Sequence, residues 1–100
     1  MIKHIAVIGS GTMGNGIAHV CAQYGNTVSL IDISEASLEK AIKTITGNFD
    51  RMVTKGIVTT ADKDAAIQRI TTYTKLSDGV KNADLIIEAA SENEIGRAHV

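Results

Sequence analysis

Residues 5–14 read IAVIGSGTMG, an apolar run followed at once by closely spaced glycines. A short continuous apolar run that ends in glycine is typical of a strand buried on both faces. Gly9, Gly11 and Gly14 have the spacing G-x-G-x-x-G: the first allows a tight turn, the second lets a ligand approach the backbone, and the third lets the next helix pack closely. The pattern predicts a strand, a phosphate-binding loop over Gly9–Gly14 that includes Ser10, Thr12 and Met13, and a helix N-terminus facing the phosphates.

An acidic residue supports this interpretation. Thr27 to Ile31 reads as a second strand and ends at Asp32, about 20 residues after the glycines, where a carboxylate accepts hydrogen bonds from ribose hydroxyls. A carboxylate there also repels a 2′-phosphate, and the following Ile33 and Ser34 supply no arginine, which favours NAD over NADP. The alternatives are a structural glycine turn and a strand-end aspartate without a ligand. A nucleoside triphosphate loop is excluded, because no Gly-Lys-Ser/Thr follows the glycines.

The remaining pattern alternates strands and helices. A helix is predicted from Met13 to the stop at Gly25, with an apolar stripe of Met13, Ile17, Val20, Cys21 and Tyr24. Ser34 is predicted to cap a long helix whose stripe runs from Leu38 to Val53. A shorter helix over 61–69, a threonine-rich strand over 70–74, a turn over 77–79 and a buried strand over 85–87 follow. The fold class is therefore α/β, an incomplete Rossmann-type doubly wound parallel sheet.

Composition excludes several classes of protein. The formal net charge of −1 gives no basic footprint for nucleic acid or an anionic membrane. Cys21 is the single cysteine, so neither a disulfide framework nor a cysteine zinc site is expected, and we predict no metal site. No apolar run approaches a membrane span, and the N-terminus lacks a signal-peptide core. These features favour a cytoplasmic protein.

Two segments make the pattern specific to a family. Residues 9–18 read GSGTMGNGIA, residues 83–89 read ADLIIEA, and Ser91-Glu92-Asn93 follows. With Asp32 and the long second helix, they resemble the 3-hydroxyacyl-CoA dehydrogenase family, in particular its bacterial 3-hydroxybutyryl-CoA dehydrogenases. The resemblance implies interconversion of 3-hydroxyacyl-CoA and 3-oxoacyl-CoA with NAD, in fatty acid or butanoate metabolism. It also implies a homodimer formed through a helical second domain, which is absent from this chain.

The resemblance also assigns roles to individual residues. Glu92 matches a position near the nicotinamide half of the cofactor, whereas Lys55 and Asn48 match positions that approach the CoA moiety. Lys55 is equally well explained as a solvated helix-end lysine. For Glu88 the alternatives are a structural role and a place in the lining of the cofactor cleft, and the structural role is favoured. The family's catalytic histidine, its orienting glutamate and the assisting serine and asparagine lie beyond the fourth strand, so no catalytic residue is expected here.

The histidines and the cysteine of residues 1–94 are expected to have structural roles. His4 lies at a strand start and His19 within the first helix, where a surface or half-buried position is typical. Cys21 is expected to be a small core residue of the first helix.

The C-terminal residues depart from the family pattern. Residues 95–100 read IGRAHV, which ATC GGA AGA GCA CAC GTC encodes, a string found in a common sequencing adapter. We therefore expect residues 1–94 to be a partial NAD-binding domain and residues 95–100 to be adapter-derived. Two other functions stay open: a non-catalytic, redox-sensing nucleotide-binding module, and a structural protein such as a lens crystallin.

Overall fold

The structure, a computed structural model, describes residues 3–89. Glu92 and the segment 95–100 lie outside the described residues. The described chain alternates strands and helices in the following order: β1 (His4–Ile8), α1 (Thr12–Gln23), β2 (Thr27–Ile31), α2 (Glu35–Thr54), α3 (Thr60–Gln68), β3 (Ile70–Tyr73), α4 (Leu76–Gly79) and β4 (Leu85–Glu88). The predicted strands and the three longer predicted helices are present, with bounds that differ by one or two residues.

The four strands form one parallel sheet in the order β3-β2-β1-β4. β1 is central: Ile8 pairs with Ile31 of β2 on one side and with Glu88 of β4 on the other. The carboxyl ends of these strands therefore lie at one edge of the sheet, which is where open α/β sheets bind ligands. The α/β class and the Rossmann-type parallel sheet are confirmed.

Local sequence signals explain where the helices begin and end. The Ser34 hydroxyl accepts a hydrogen bond from the backbone N–H of Ser37 at 3.1 Å, so Ser34 caps α2 as predicted. Thr59 and Asp62 form a reciprocal capping box at the start of α3. Gly25, with φ of +99°, follows the end of α1 in a conformation that L-residues with a Cβ rarely adopt.

The main core lies between the sheet and the helices α1, α2 and α3. Its largest fully buried side chains include Val7 and Leu30 from the sheet and Ile45 and Phe49 from α2. The side chain of Ile31, adjacent to Leu30 in β2, instead meets Gly79 of α4. Since successive strand residues face opposite sides, α4 covers the other face of the sheet.

The buried face of α1 differs from the predicted one. Gly14, Ala18 and Ala22 are buried, whereas Val20 and Tyr24 of the predicted stripe are exposed. Met13 is also exposed, and Ile17 and Cys21 are only partly buried. The predicted stripe was therefore wrong for Met13, Val20 and Tyr24, whereas Ile17 and Cys21 are partly buried against the core. The close approach at Gly14 explains why small residues form the fully buried face.

Two further predictions need correction. Residues 76–79 form a short helix, α4, where a turn was predicted over 77–79. β4 was predicted to be buried, but Leu85 and Ile86 are exposed because β4 is an edge strand of the described sheet. Within residues 3–89, no helix is long and apolar enough to cross a membrane.

Candidate cofactor site at the strand ends

The glycine loop forms a tight turn at the carboxyl end of β1. Gly9 has φ of +99°, and its N–H donates to the carbonyl oxygen of Ile31 at 2.6 Å. The turn therefore continues the β1–β2 pairing by one hydrogen bond before the chain enters α1. Gly9 is required here because a residue with a Cβ pays a steric cost at this φ.

Gly11 and Gly14 differ in what surrounds them. A Cβ on Gly14 would stand 1.8 Å from the carbonyl oxygen of Gly9, so only glycine fits at this helix–loop contact. A Cβ on Gly11 would meet no atom within 4 Å, since it would project into open space. That free space beside the backbone is what close approach of a phosphate group requires, so the loop fits a dinucleotide.

The N-terminus of α1 is suited to an anion. Gly11 is its N-cap residue and has no side chain to cap the helix, and the carbonyl oxygen of Gly11 accepts from Asn15 N–H at 2.8 Å. The N–H groups of Thr12 and Met13, in the first turn, have no partner within the helix. These donors and the helix dipole favour a negatively charged group beside the glycine loop.

Asp32 stands beside the loop and is held by three hydrogen bonds. Oδ2 accepts from the backbone N–H of Ser10 at 3.0 Å and from its hydroxyl at 2.8 Å, while Oδ1 accepts from Ser34 N–H at 3.0 Å. Partial burial opposes ionisation of the carboxyl group, but these hydrogen bonds outweigh it and lower the pKa of Asp32. The charged form is therefore the one present at neutral pH.

A cleft of about 530 Å³ extends from this loop along α2. Ser10, Asp32 and the first turn of α1 line one end. Ala41 and four polar residues of α2 line the other wall, and the polar four stand at helical spacing: Ser37, Lys40, Thr44 and Asn48. Sequence reasoning found only Asn48 among these four, although their spacing of three or four residues identifies one polar face of α2.

A second, shallower groove lies between α1 and the C-terminal half of α2. It has a volume of about 380 Å³ and is lined by His19, Arg51 and Lys55, together with Asn48. The Arg51 guanidinium donates to Asn48 Oδ1. Asn48 thus lines both the groove and the first cleft, and the groove combines two permanent cations with no carboxylate among its described lining residues.

The two histidines within residues 3–89 have structural contacts. The His4 ring joins β1 to β2, with Nδ1 2.7 Å from Thr27 Oγ1 and Nε2 2.8 Å from Ser29 Oγ. The His19 ring stacks on Phe49 with centroids 4.0 Å apart. Burial lowers the pKa of His19, and a hydrogen bond with Gln23 only partly offsets it. Neither ring lies in the cofactor cleft.

Other predicted positions are less informative. Glu88 ends β4 opposite Ile8, is exposed, and does not line the cofactor cleft. Cys21 is partly buried against the core, and burial raises the pKa of its thiol.

Within the described part of the chain, no group of three or more His, Cys, Asp or Glu side chains could hold a metal ion. A further cavity of about 550 Å³ between α2 and β3 contains no residue of the glycine loop.

Residues 4–98 match the family of the 3-hydroxyacyl-CoA dehydrogenase NAD-binding domain. The chain is 47% identical over 94 residues to 3-hydroxybutyryl-CoA dehydrogenase of Bradyrhizobium diazoefficiens, covering 94% of this chain and 32% of that protein. It is 43% identical to 3-hydroxyadipyl-CoA dehydrogenase of Escherichia coli, covering 91% of this chain and 19% of that enzyme. The chain therefore spans a third or less of the length of these relatives.

A solved structure has the same fold. The (S)-3-hydroxybutyryl-CoA dehydrogenase of Ralstonia eutropha superposes with a TM-score of 0.88 at 43% identity, covering 93% of this chain and 32% of that one. The family and the cofactor predicted from the glycine loop and Asp32 are thereby confirmed. The chain belongs to the family of 3-hydroxyacyl-CoA dehydrogenase NAD-binding domains, and NAD is the cofactor of that family.

Proposed function

We propose that this chain is the cofactor-binding part of an NAD-dependent dehydrogenase that interconverts 3-hydroxyacyl-CoA and 3-oxoacyl-CoA. In the oxidative direction a hydride leaves C3 of the substrate for NAD⁺, and the hydroxyl proton goes to a general base. The proposal rests on one observation: the glycine loop is hydrogen-bonded to Asp32 through Ser10, at the carboxyl ends of the strands. Its residues combine free N–H donors for phosphate with a carboxylate for ribose hydroxyls.

Within this site each predicted residue has a distinct task. Gly9, Gly11 and Gly14 shape the loop, and the backbone N–H groups of Thr12 and Met13 are the donors offered to the pyrophosphate. Asp32 accepts hydrogen bonds from the adenosine ribose. Glu92, which follows β4 in the sequence, is proposed to lie near the nicotinamide half.

The groove lined by Lys55 and Asn48 is proposed to take the CoA moiety. CoA carries phosphate groups, and Arg51 and Lys55 supply positive charge without a neighbouring carboxylate in the lining. Asn48 lines both the groove and the cofactor cleft, so the bound cofactor and the bound substrate would both lie beside Asn48. The relatives named above differ in acyl group, one being a 3-hydroxybutyryl and the other a 3-hydroxyadipyl enzyme.

The catalytic base is proposed to lie outside residues 3–89. Both described histidines are engaged in structural contacts, His4 between strands and His19 against Phe49. The relatives are about three to five times longer, and the base is expected in the part of such a protein that this chain does not match. The whole enzyme is proposed to be a cytoplasmic homodimer that binds neither nucleic acid nor membrane.

The proposal is tested by titrating the purified chain with NADH and NADPH and following the fluorescence of the reduced nicotinamide. We expect NADH to bind more tightly than NADPH, and Asp32→Asn to weaken NADH binding by about tenfold or more, since a charge-assisted hydrogen bond contributes about 1.5–3 kcal/mol. Asp84→Asn is the matched control, because Asp84 lies at the amino end of β4 and the cofactor cleft lies at the carboxyl ends of the strands. Equal affinity of the wild-type chain for both cofactors would contradict the proposal.

A second measurement addresses the location of the catalytic residues. We expect the 100-residue chain to give no oxidation of NADH with acetoacetyl-CoA, because the residue proposed to lie outside residues 3–89, the base of the oxidation, must act in this direction as the general acid that protonates the 3-oxo group. Measurable turnover by this chain would show that its own residues complete the active site.

A further inference from the structure

The hydrogen bonds to Asp32 come from two different kinds of donor. Ser10 N–H and Ser34 N–H are backbone groups, which any residue except proline supplies at those positions. The third donor is the Ser10 hydroxyl, at 2.8 Å from Oδ2. This bond alone depends on the identity of the side chain at position 10, and the glycine motif leaves that position open.

Ser10 acts on Asp32 from the protein side of the cleft. Ser10 is only 4% exposed, whereas Asp32 is partly exposed and faces the cleft. A ligand in the cleft therefore contacts the exposed carboxylate of Asp32 more than the buried side chain of Ser10. A hydroxyl buried in this way influences the ligand chiefly through the group to which it is bonded.

We propose that Ser10 is a positioning residue for the dinucleotide: its hydroxyl holds the Asp32 carboxylate in the orientation in which Oδ1 accepts a ribose hydroxyl. This inference rests on the proposed function. A carboxylate has about four acceptor positions, and three of them are used by Ser10 and Ser34. The acceptor position that remains free is on Oδ1. Because three hydrogen bonds hold the carboxylate, the Asp32 side chain is already ordered before a ligand binds. Ordering in advance lowers the entropic cost of binding.

The same arrangement favours a cofactor without a 2′-phosphate. The Ser10 hydroxyl stabilises the charged carboxylate, and its hydrogen bond is one of those that lower the pKa of Asp32. A charged carboxylate accepts from a ribose hydroxyl but repels phosphate oxygens. Because NADPH has a phosphate group in place of the 2′-hydroxyl that Asp32 would accept, removal of the Ser10 hydroxyl is expected to affect NADH more than NADPH.

The charged and titratable groups around Asp32 are few. In the described lining of the cleft, Lys40 of α2 is the other charged side chain. Tyr73 of β3 accepts Asp32 N–H through its backbone carbonyl at 3.0 Å, and Glu35 begins α2 but lines the cavity on the far side of that helix. None of these replaces the hydroxyl of Ser10 as a donor to Oδ2.

The first experiment measures the Asp32 carboxyl group itself, in the chain without cofactor, by ¹³C NMR titration. Ser10→Ala is expected to raise the pKa of Asp32, since one of the hydrogen bonds to the charged form is lost. Ser10→Gly removes the same hydroxyl and should give the same direction. Thr54→Ala deletes a hydroxyl that bonds only to Asp50 O at the far end of α2, and should leave Asp32 unchanged.

The second experiment is a double-mutant cycle read by NADH and NADPH titration. Ser10→Ala is expected to weaken NADH binding by about three- to tenfold and NADPH binding less. In the Asp32→Asn background the same substitution should have little further effect, because its partner is altered. Equal losses in both backgrounds, or an unchanged Asp32 titration in both Ser10 variants, would overturn the inference. Failure of the wild-type chain to bind NADH would instead count against the proposed function, and the NMR titration would still decide the role of Ser10.

Discussion

The backbone of Gly14 lies so close to Gly9 that a Cβ atom at position 14 would stand 1.8 Å from the carbonyl oxygen of Gly9. This contact joins the end of β1 to the first turn of α1. It sets how closely the helix approaches the sheet, and it places the helix N-terminus beside Asp32. The shape of the cofactor cleft depends on it.

Gly14→Ala is therefore expected to destabilise the chain. The added methyl group would displace backbone rather than a flexible side chain, and overpacking of this kind costs about 1–3 kcal/mol of unfolding free energy. Gly16→Ala is the matched control on the same helix, because its Cβ would meet no atom within 4 Å and alanine raises helix propensity by about 1 kcal/mol. Urea denaturation measures both, and equal stability of the two variants would contradict the structure.

Asp32 should make the stability of the chain depend on acid pH. Its pKa is lowered in the folded state, so its stabilisation is complete above the unfolded value of about 3.9 and is lost as pH falls through the folded value. Asp32→Asn should therefore flatten the loss of stability over that range, as measured by urea denaturation at a series of pH values.

Asp84 provides an informative comparison for this prediction. Its carboxylate accepts from the N–H groups of Lys3 and His4 at 2.9 Å each, and these bonds lower its pKa. Asp84→Asn should flatten the acid dependence in the same way but leave NADH binding intact, because Asp84 lies at the opposite edge of the sheet. An unchanged acid dependence in Asp32→Asn would refute the assigned hydrogen bonds.

The basic groove should contribute to CoA binding. Lys55→Gln and Arg51→Gln are each expected to weaken binding of free CoA by about two- to fivefold, the range for an exposed ion pair. Isothermal titration at low and moderate salt measures this, and the difference from wild type should shrink as salt screens the charges. Lys75→Gln, at the N-cap of α4 and outside the groove, is the control, and an equal loss there would indicate nonspecific attraction.

The origin of residues 95–100 is open to a direct check. We expect the nucleotide sequence over these positions to read ATC GGA AGA GCA CAC GTC and to be absent from an independently amplified copy of the gene. Any other codons in the source sequence would reject the adapter origin. The prediction is independent of the fold, since it concerns only residues outside the described range.

Much of the fold and part of the site follow from local patterns. Apolar strands, helix caps such as Ser34, and the glycine spacing act over a few residues, so the order of elements and the position of the loop could be predicted. Asp32 was also found from sequence, because it ends the strand after the glycine loop. Ser37, Lys40 and Thr44 were missed, since their part in the cleft depends on how α2 lies against the loop.

The sequence by itself determined the alternation of strands and helices, the glycine turn and the acidic residue beside it, because each depends on backbone preferences and spacing along the chain. Only the tertiary structure decided which face of α1 is buried. The apolar stripe predicted Val20 and Tyr24 to be buried, but with the close approach at Gly14 the fully buried side chains of α1 are those of Ala18 and Ala22, and Ile17 and Cys21 are only partly buried against the core. The bond from Ser10 to Asp32 was likewise decided by the fold, since it joins loops that follow two different strands.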